Sequence, residues 1–170
     1  MWLFDKNKKT EEKELLDSQN ITFGLTDYRK CLRSVLEEYG FKHMNNRMEI
    51  HNNDLVIVVE LQKSSFSDGF YTNCGFYIPS VHTEPADLKA VKDCDVDIRF
   101  EHENGIEEDR TLFDIKTTGL DSFSQIVRKH MDEIVIPVMD KGIQALYEIE
   151  PDVIYATKKE LRAYIEIGKL

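Results

Sequence analysis

The amino-acid sequence predicts an α+β fold: an antiparallel sheet of four to five strands, arranged as a meander, with an N-terminal helix and a C-terminal helix pair packed on one face. Apolar residues recur every three to four positions in two stretches, 26–40 and 121–149, as in amphipathic helices. Between them, residues 41–101 alternate apolar and polar side chains and are interrupted by turn residues, as in connected strands. With 170 residues, the chain is expected to hold a charged N-terminal arm, 1–25, and a single α+β domain, 26–170.

The first helix is predicted to begin at Thr26, whose hydroxyl suits an N-terminal cap, and to end at Gly40, which suits a left-handed C-terminal cap. Before this helix, residues 5–20 are dominated by Lys, Glu and Asp and are interpreted as a surface arm. The residues that would face the core share spacings of three and four: Tyr28, Cys31, Leu32, Val35, Leu36 and Tyr39.

The strands follow from alternation and from the turns between them. Asn45 and Asn46 mark a tight turn between the first two strands. The third strand is apolar at both parities from Leu55 to Val59, so it is expected to be central and covered on both faces along its first half. The predicted strands span residues 41–44, 47–51, 54–63, 70–78 and 96–101, with a short edge strand at 111–116 as a further candidate.

The C-terminal part is predicted to be helical. Asp121 is expected to cap a long helix, and Pro137, which lacks an N–H donor, is expected to kink it or to start a new helix that Pro151 stops. A last short helix is predicted over 158–167. The apolar stripe of the long helix consists of Phe123, Ile126, Val127, His130, Met131, Ile134 and Val135.

Alternation also assigns two faces to the strand 70–78. Its even-numbered residues are expected to point into the core, where the thiol of Cys74 would be inert, and its odd-numbered residues to point the other way. Aromatic and amide side chains together suit recognition of a ligand, whereas the alternative interpretation is an ordinary solvated sheet face. The candidate binding surface on this second face consists of Glu60, Gln62, Tyr71, Asn73, Tyr77 and Arg99.

Two neighbouring strand sequences carry a resemblance to a known family. They read Leu61-Gln62-Lys63-Ser64-Ser65-Phe66 and Phe70-Tyr71-Thr72-Asn73-Cys74-Gly75-Phe76-Tyr77-Ile78. Two shorter segments are similar to the same family in residue type and in their order along the chain: Tyr39-Gly40-Phe41 and Phe113-Asp114-Ile115. In these residues the chain resembles the bacterial family known as domain of unknown function 4304, over roughly residues 26–149. The resemblance implies a shared α+β fold, and it carries over no catalytic residue because the family has no assigned activity.

The sequence contains no strong catalytic signature. There is no glycine-rich phosphate loop, no G-x-S-x-G motif and no H-E-x-x-H motif, so no catalytic residue, metal site or cofactor is predicted. One enzyme hypothesis stays open as an alternative. Asp114 and Lys116 have the acid-x-lysine spacing of metal-dependent nucleases, with Asp97 as a partner acid, although such triplets are expected by chance in a chain this rich in acidic residues.

The charge of the chain narrows the classes of partner. A formal net charge of -10 repels phosphate backbones and anionic lipids, so neither nucleic acid nor a membrane is expected to bind. The same charge favours a basic protein as partner, as for an inhibitor or immunity-type protein. Three widely spaced cysteines and the lack of a signal peptide or apolar span predict a cytoplasmic protein. The leading hypothesis is a non-enzymatic protein-binding module, and no oligomeric state is predicted.

Overall fold

An antiparallel sheet forms the centre of the structure. The computed structural model describes residues 23–52, 54–84, 87–102 and 109–167, and within these the sheet has six strands. They are β1 (Lys42–Met44), β2 (Arg47–His51), β3 (Val56–Lys63), β4 (Gly69–Tyr77), β5 (Val96–Arg99) and β6 (Phe113–Asp114). Their order is β1-β2-β3-β4-β5, with β6 paired to the start of β4, and every pairing is antiparallel. The predicted α+β meander is therefore confirmed, and the two-residue β6 extends it.

The helices follow the predicted segments, but the C-terminal part is divided into more pieces than the expected pair. Pro137 lies in the first turn of one piece, Gly142 ends that piece with a φ of 83°, and Pro151 starts a 3-10 turn. The helices are α1 (Leu25–Glu38), α2 (Leu120–His130), α3 (Ile136–Lys141), α4 (Gln144–Ile149) and α5 (Lys159–Glu166), with a π turn at Met131–Val135 and a 3-10 turn at Pro151–Ala156. Most of the predicted arm, residues 1–22, lies outside the described residues.

The ends of the helices differ in part from the predicted caps. The N-cap of helix α1 is Gly24, two residues before the predicted Thr26, and Gly24 donates its N–H to the Asp27 carboxylate at 2.9 Å. Gly119 occupies the N-cap of α2, and Asp121 lies in the first turn. The C-terminal end of α1 is as predicted: Gly40 has a φ of 87°, which a residue with a Cβ rarely adopts.

The helices cover one face of the sheet. Even-numbered residues of β4 and odd-numbered residues of β3 form one continuous buried cluster with residues from all five helices. In its middle, the ring of Phe123 meets Tyr28, Phe70 and Phe113 edge-on at centroid distances of 5.5, 5.4 and 5.3 Å. Cys74 is fully buried in this cluster, and burial raises the pKa of its thiol well above the ordinary value. The alternation therefore assigns the core face correctly, and the Cys74 thiol is protonated and inert.

The opposite face is partly covered by the connection between β4 and β5. Within the described residues of this crossing segment, 79–84 and 87–95, the side chains of Leu88, Val91 and Cys94 pack against the second face of β3 and β4. A Cβ added to Gly75 of β4 would lie 2.7 Å from Cys94 Sγ, so the glycine lets the segment approach the sheet. None of the described helices is long and apolar enough to cross a bilayer.

The contact at Gly75 leads to a stability prediction. In Gly75→Ala the new Cβ would lie 2.7 Å from Cys94 Sγ and 2.9 Å from Cys94 Cβ, so the crossing segment must move. We expect the free energy of unfolding, measured by urea denaturation, to fall by about 1–3 kcal/mol. In a Cys94→Ala background the same substitution should cost less, because part of the overlap is gone. An equal cost in both backgrounds would show that the contact does not determine how closely the segment approaches.

Candidate functional site

The second face of the sheet is divided into a covered half and an open half. Tyr77 is only 4% exposed and Asn73 only 6% exposed, whereas Gln62 and Arg99 are exposed and Tyr71 is partly exposed. The expectation of an open surface that includes Tyr77 is therefore wrong. Tyr77 is buried because the few apolar residues of the crossing segment pack on this face of the sheet.

The covered half is fastened by the buried carboxylate of Asp95. One of its oxygens accepts the backbone N–H of Ile78 at 2.8 Å, and the other is 2.7 Å from Nε2 of His82. The His82 ring in turn stacks on Tyr77, with centroids 4.8 Å apart. Both ends of the crossing segment are thus held to the end of β4, and Asp95 is satisfied by two hydrogen bonds despite its complete burial.

We call the contacts of Asp95 with Ile78 and His82 the clamp. A cavity of about 430 Å³ lies beside it, between His82 and the side chains of Arg47, Glu49 and His51. Glu49 accepts hydrogen bonds from Arg47 Nε and from His51, whose Nε2 lies 3.1 Å away. Two carboxylate-oriented imidazoles would suit general acid-base chemistry. Among the described residues that line the cavity, however, the only hydroxyl groups are those of Tyr77 and Thr83, and no cysteine is present. The site therefore orients two imidazole side chains but, among the described lining residues, provides no activated nucleophile.

Glu60 and Asp97 lie at the border of the crossing segment. Burial raises the pKa of both carboxyl groups above their ordinary values, and a hydrogen bond from the backbone of Val91 to Glu60 opposes that shift. Glu60 therefore helps to hold the segment and is only partly exposed. Of the six residues of the predicted binding surface, Gln62, Tyr71 and Arg99 remain at the open half, while Glu60, Asn73 and Tyr77 lie under or beside the cover.

The open half carries an ordered group of polar and aromatic side chains. The Arg99 guanidinium lies over the ring of Tyr71, 4.1 Å from its centroid, and the Tyr71 hydroxyl donates to Asp109 at 3.2 Å. Hydrogen bonds from the hydroxyl and the N–H of Thr111, and from Tyr71, lower the pKa of Asp109. Asp109 is therefore ionised near Arg99, and Tyr71 has a partner both at its hydroxyl and at its ring.

A fully exposed aromatic ring lies at the tip of the β3–β4 hairpin, beyond the strand ends that carry Gln62 and Tyr71. Phe66 is 100% exposed, and its backbone N–H is held by Ser64 Oγ at 3.2 Å. Phe66 lies between the predicted strands 54–63 and 70–78, but sequence reasoning did not single it out as a binding residue. The available signal was a large apolar residue within a run of Ser, Asp and Gly, where nothing local can bury it. We call Gln62, Phe66, Tyr71, Arg99 and Asp109 the hairpin-end surface.

A further cavity adjoins the hairpin that carries Phe66. It has a volume of about 590 Å³, and Ser67 and Gly69 of the hairpin form part of its wall. The opposite wall is a face of α2, which contributes Gln125, Ile126 and Lys129. The carboxylate-bearing residues Glu101 and Asp114 complete the lining together with His102, whose Nε2–H donates to the Leu112 carbonyl at 2.8 Å.

The three residues of the metal-dependent alternative do not form one site. Asp97 pairs with Gly75 and Asp114 with Gly69, so they lie six residues apart along β4, or about 20 Å. The Lys116 ammonium lies 3.1 Å from the Asp68 carboxylate instead. One divalent ion cannot reach carboxylates at that separation, since its bonds to oxygen are about 2–2.6 Å long. Within the described residues, no group of three or more His, Cys, Asp or Glu is arranged to hold a metal ion.

A comparison with protein families supplies the remaining finding. The family model described as "Domain of unknown function (DUF4304)" matches residues 32–141, well over half of the chain. The matched part runs from within α1 to the end of α3, so it includes all six described strands, the hairpin-end surface and the 590 Å³ cavity. No curated protein and no solved structure matches the chain.

The clamp on the covered half gives a second prediction. Asp95→Ala removes both acceptors, and we expect the free energy of unfolding to fall by about 2–4 kcal/mol because two donors lose their partner. We also expect Cys94, whose burial raises its thiol pKa to about 12, to be alkylated faster by iodoacetamide, as followed by peptide mass spectrometry.

Two references make this prediction specific. Asp87→Ala removes the same charge from an exposed position of the segment and should leave both quantities nearly unchanged. Cys74, buried under the helices, reports global unfolding in the same samples. If Cys94 reacts no faster relative to Cys74 in Asp95→Ala than in Asp87→Ala, then Asp95 does not fasten the segment.

Proposed function

We propose that this chain, which belongs to the family described as domain of unknown function DUF4304, is a protein-binding module that captures a basic protein through its hairpin-end surface. The observation that carries the proposal is the complete exposure of Phe66 at the tip of the β3–β4 hairpin, a few residues along the chain from Tyr71, over whose ring Arg99 lies. Large aromatic and arginine side chains at one point of a surface are the residue types that dominate protein interfaces.

The exposure of Phe66 supports binding on energetic grounds. An exposed Phe leaves about 2–3 kcal/mol of burial free energy unrealised, which a partner surface can recover. Phe66 lies in the loop that joins β3 to β4, whose pairing runs from Val56↔Tyr77 to Lys63↔Phe70. The fold therefore positions the Phe66 backbone. Because the backbone is positioned, binding has to order only the side chain, at a cost of about 0.5–1.5 kcal/mol, and the rest of the burial free energy contributes to affinity.

The neighbouring pair supports binding on geometric grounds. Tyr71 is fixed through its hydroxyl to Asp109 and through its ring to Arg99. Because these contacts exist before a partner arrives, the side chains need not be ordered during binding. Arg99 lies over the ring and is exposed, so it offers donors to a partner while its charge stays close to Asp109.

The charge of the chain supports a basic partner. A net charge of -10 accelerates encounter with a basic protein and repels an acidic one. The same charge opposes binding of nucleic acid, and the residues of the metal-dependent alternative are dispersed over the sheet. An inhibitor or immunity-type protein, which blocks a basic target by covering it, fits this combination of charge and exposed aromatic anchor. The mode of action in this proposal is binding without turnover.

Capture of the partner tests the proposal. The full chain is immobilised, proteins from a lysate of its source organism are bound to it, and the captured protein is identified by mass spectrometry and purified. Calorimetry then compares its affinity for the unchanged chain, Phe66→Ala and Tyr71→Ala. We expect a basic partner whose affinity falls about tenfold or more for each variant and weakens as salt is raised.

An exposed aromatic elsewhere provides the control. Tyr155 is 81% exposed on the 3-10 turn Pro151–Ala156, away from the hairpin, so Tyr155→Ala should bind as the unchanged chain does. Thermal unfolding confirms that each variant is folded. The proposal is wrong if Phe66→Ala and Tyr155→Ala bind the captured protein equally well, or if that protein is acidic and its affinity does not depend on salt.

A further inference from the structure

We propose that the 590 Å³ cavity beside the hairpin-end surface is a binding site for an arginine side chain of the partner. This inference rests on the proposed function, because it assigns a chemical group of the basic partner to a place on this chain. Three features of the cavity carry it: its position, its charge and the shape of its lining.

The position connects the cavity to the hairpin-end surface. Ser67 and Gly69 line it and flank the hairpin that presents Phe66 at its tip. A partner that covers the Phe66 ring therefore has its neighbouring residues at the mouth of the cavity. The volume of about 590 Å³ is within the range of binding cavities and accommodates an arginine with the backbone that carries it.

The charge of the lining favours a cation. Glu101 and Asp114 contribute two carboxylates, against one ammonium group from Lys129. Among the described residues neither carboxylate forms an ion pair, and Asp114 uses one oxygen to accept the backbone N–H of Lys116 at 2.7 Å. The Lys116 ammonium is paired with Asp68 at 3.1 Å and lies close enough to Asp114 for both carboxylates to raise the pKa of the lysine. A guanidinium would add an opposite charge beside Glu101 and Asp114, and the net charge of the chain reinforces that preference.

The lining also suits a planar group with several donors on an apolar stem. Thr117, Ser122 and Gln125 place hydroxyl and amide oxygens around the cavity, and these accept hydrogen bonds. Leu112 and Ile126 provide apolar wall for the three methylene groups of the stem. A guanidinium has five N–H donors in a plane and can satisfy several of these acceptors together, whereas an ammonium group reaches fewer.

Nuclear magnetic resonance tests the inference with small probes. The backbone amide signals of the full chain are followed during titration with N-acetyl-arginine amide and, in parallel, with N-acetyl-citrulline amide, which has the same shape without the charge. We expect the arginine probe to shift signals of the residues that line the cavity, with a dissociation constant of about 1–10 mM. The citrulline probe should bind about tenfold or more weakly, since it lacks the charge.

Substitutions in the lining provide matched variants. Glu101→Gln and Asp114→Asn keep the size of each side chain and remove its charge, and each should weaken the arginine probe several-fold while the chain stays folded by circular dichroism. Tyr155→Ala should leave the affinity for the probe unchanged, because Tyr155 lies on the 3-10 turn Pro151–Ala156 and does not line the cavity. Equal affinity for the two probes, shifts confined to other surfaces, or no shift at about 20 mM probe would overturn the inference.

The two proposals fail in different ways. If Phe66→Ala weakens the captured partner but the arginine probe does not bind in the cavity, the protein-binding function stands and the arginine site is wrong. If the probe binds in the cavity but Phe66→Ala and Tyr71→Ala bind the partner normally, the proposed interface is wrong. Retention of the partner's affinity in Glu101→Gln and Asp114→Asn would likewise contradict the assignment of its arginine to this cavity.

Discussion

The pairing of β3 with β4 is the constraint on which the rest of the structure depends. Its register, from Val56↔Tyr77 to Lys63↔Phe70, fixes which side chains of both strands face the helices and which face away. A slip by one residue would move Phe70, Cys74 and Phe76 out of the core. The first half of β3 is apolar on both faces, so this register also leaves Val56 and Val58 to be buried on the second face.

That second requirement explains why one half of the face is covered and the other is open. The crossing segment covers the apolar part, where Val56, Val58 and Tyr77 lie, and it is held there by Asp95 and by the Arg47 guanidinium, which donates to the carbonyls of Leu88 and Lys89. Toward the hairpin the second-face residues of β3 become polar, as at Gln62, and burial there would offer little free energy. The open end is thus a consequence of composition along the strand.

Local pattern was sufficient to predict the elements and the core face. The three-to-four spacing in α1 and the alternation around Cys74 each depend on residues close in sequence, and both are confirmed. The cover over Tyr77 was not predictable, because the three-residue spacing of Leu88, Val91 and Cys94 indicates an apolar side of the segment but not the surface on which that side packs. The separation of Asp97 from Asp114 depends on which β4 residues they pair with. The local sequence of a strand does not determine its register with a distant strand.

An acidic charge alone indicates solubility as readily as it indicates a basic partner. What separates the two interpretations is where the features lie. Phe66, the Tyr71–Arg99 pair and the cavity with Glu101 and Asp114 belong to different segments, yet the fold places all of them around the start of β4. The exposed ring lies at the hairpin tip, the Tyr71–Arg99 pair lies on the sheet face away from the helices, and the cavity lies on the side of α2. A basic partner that binds as proposed would have to reach around the end of the hairpin, where the ring would supply burial free energy and the carboxylates would favour the partner's charge.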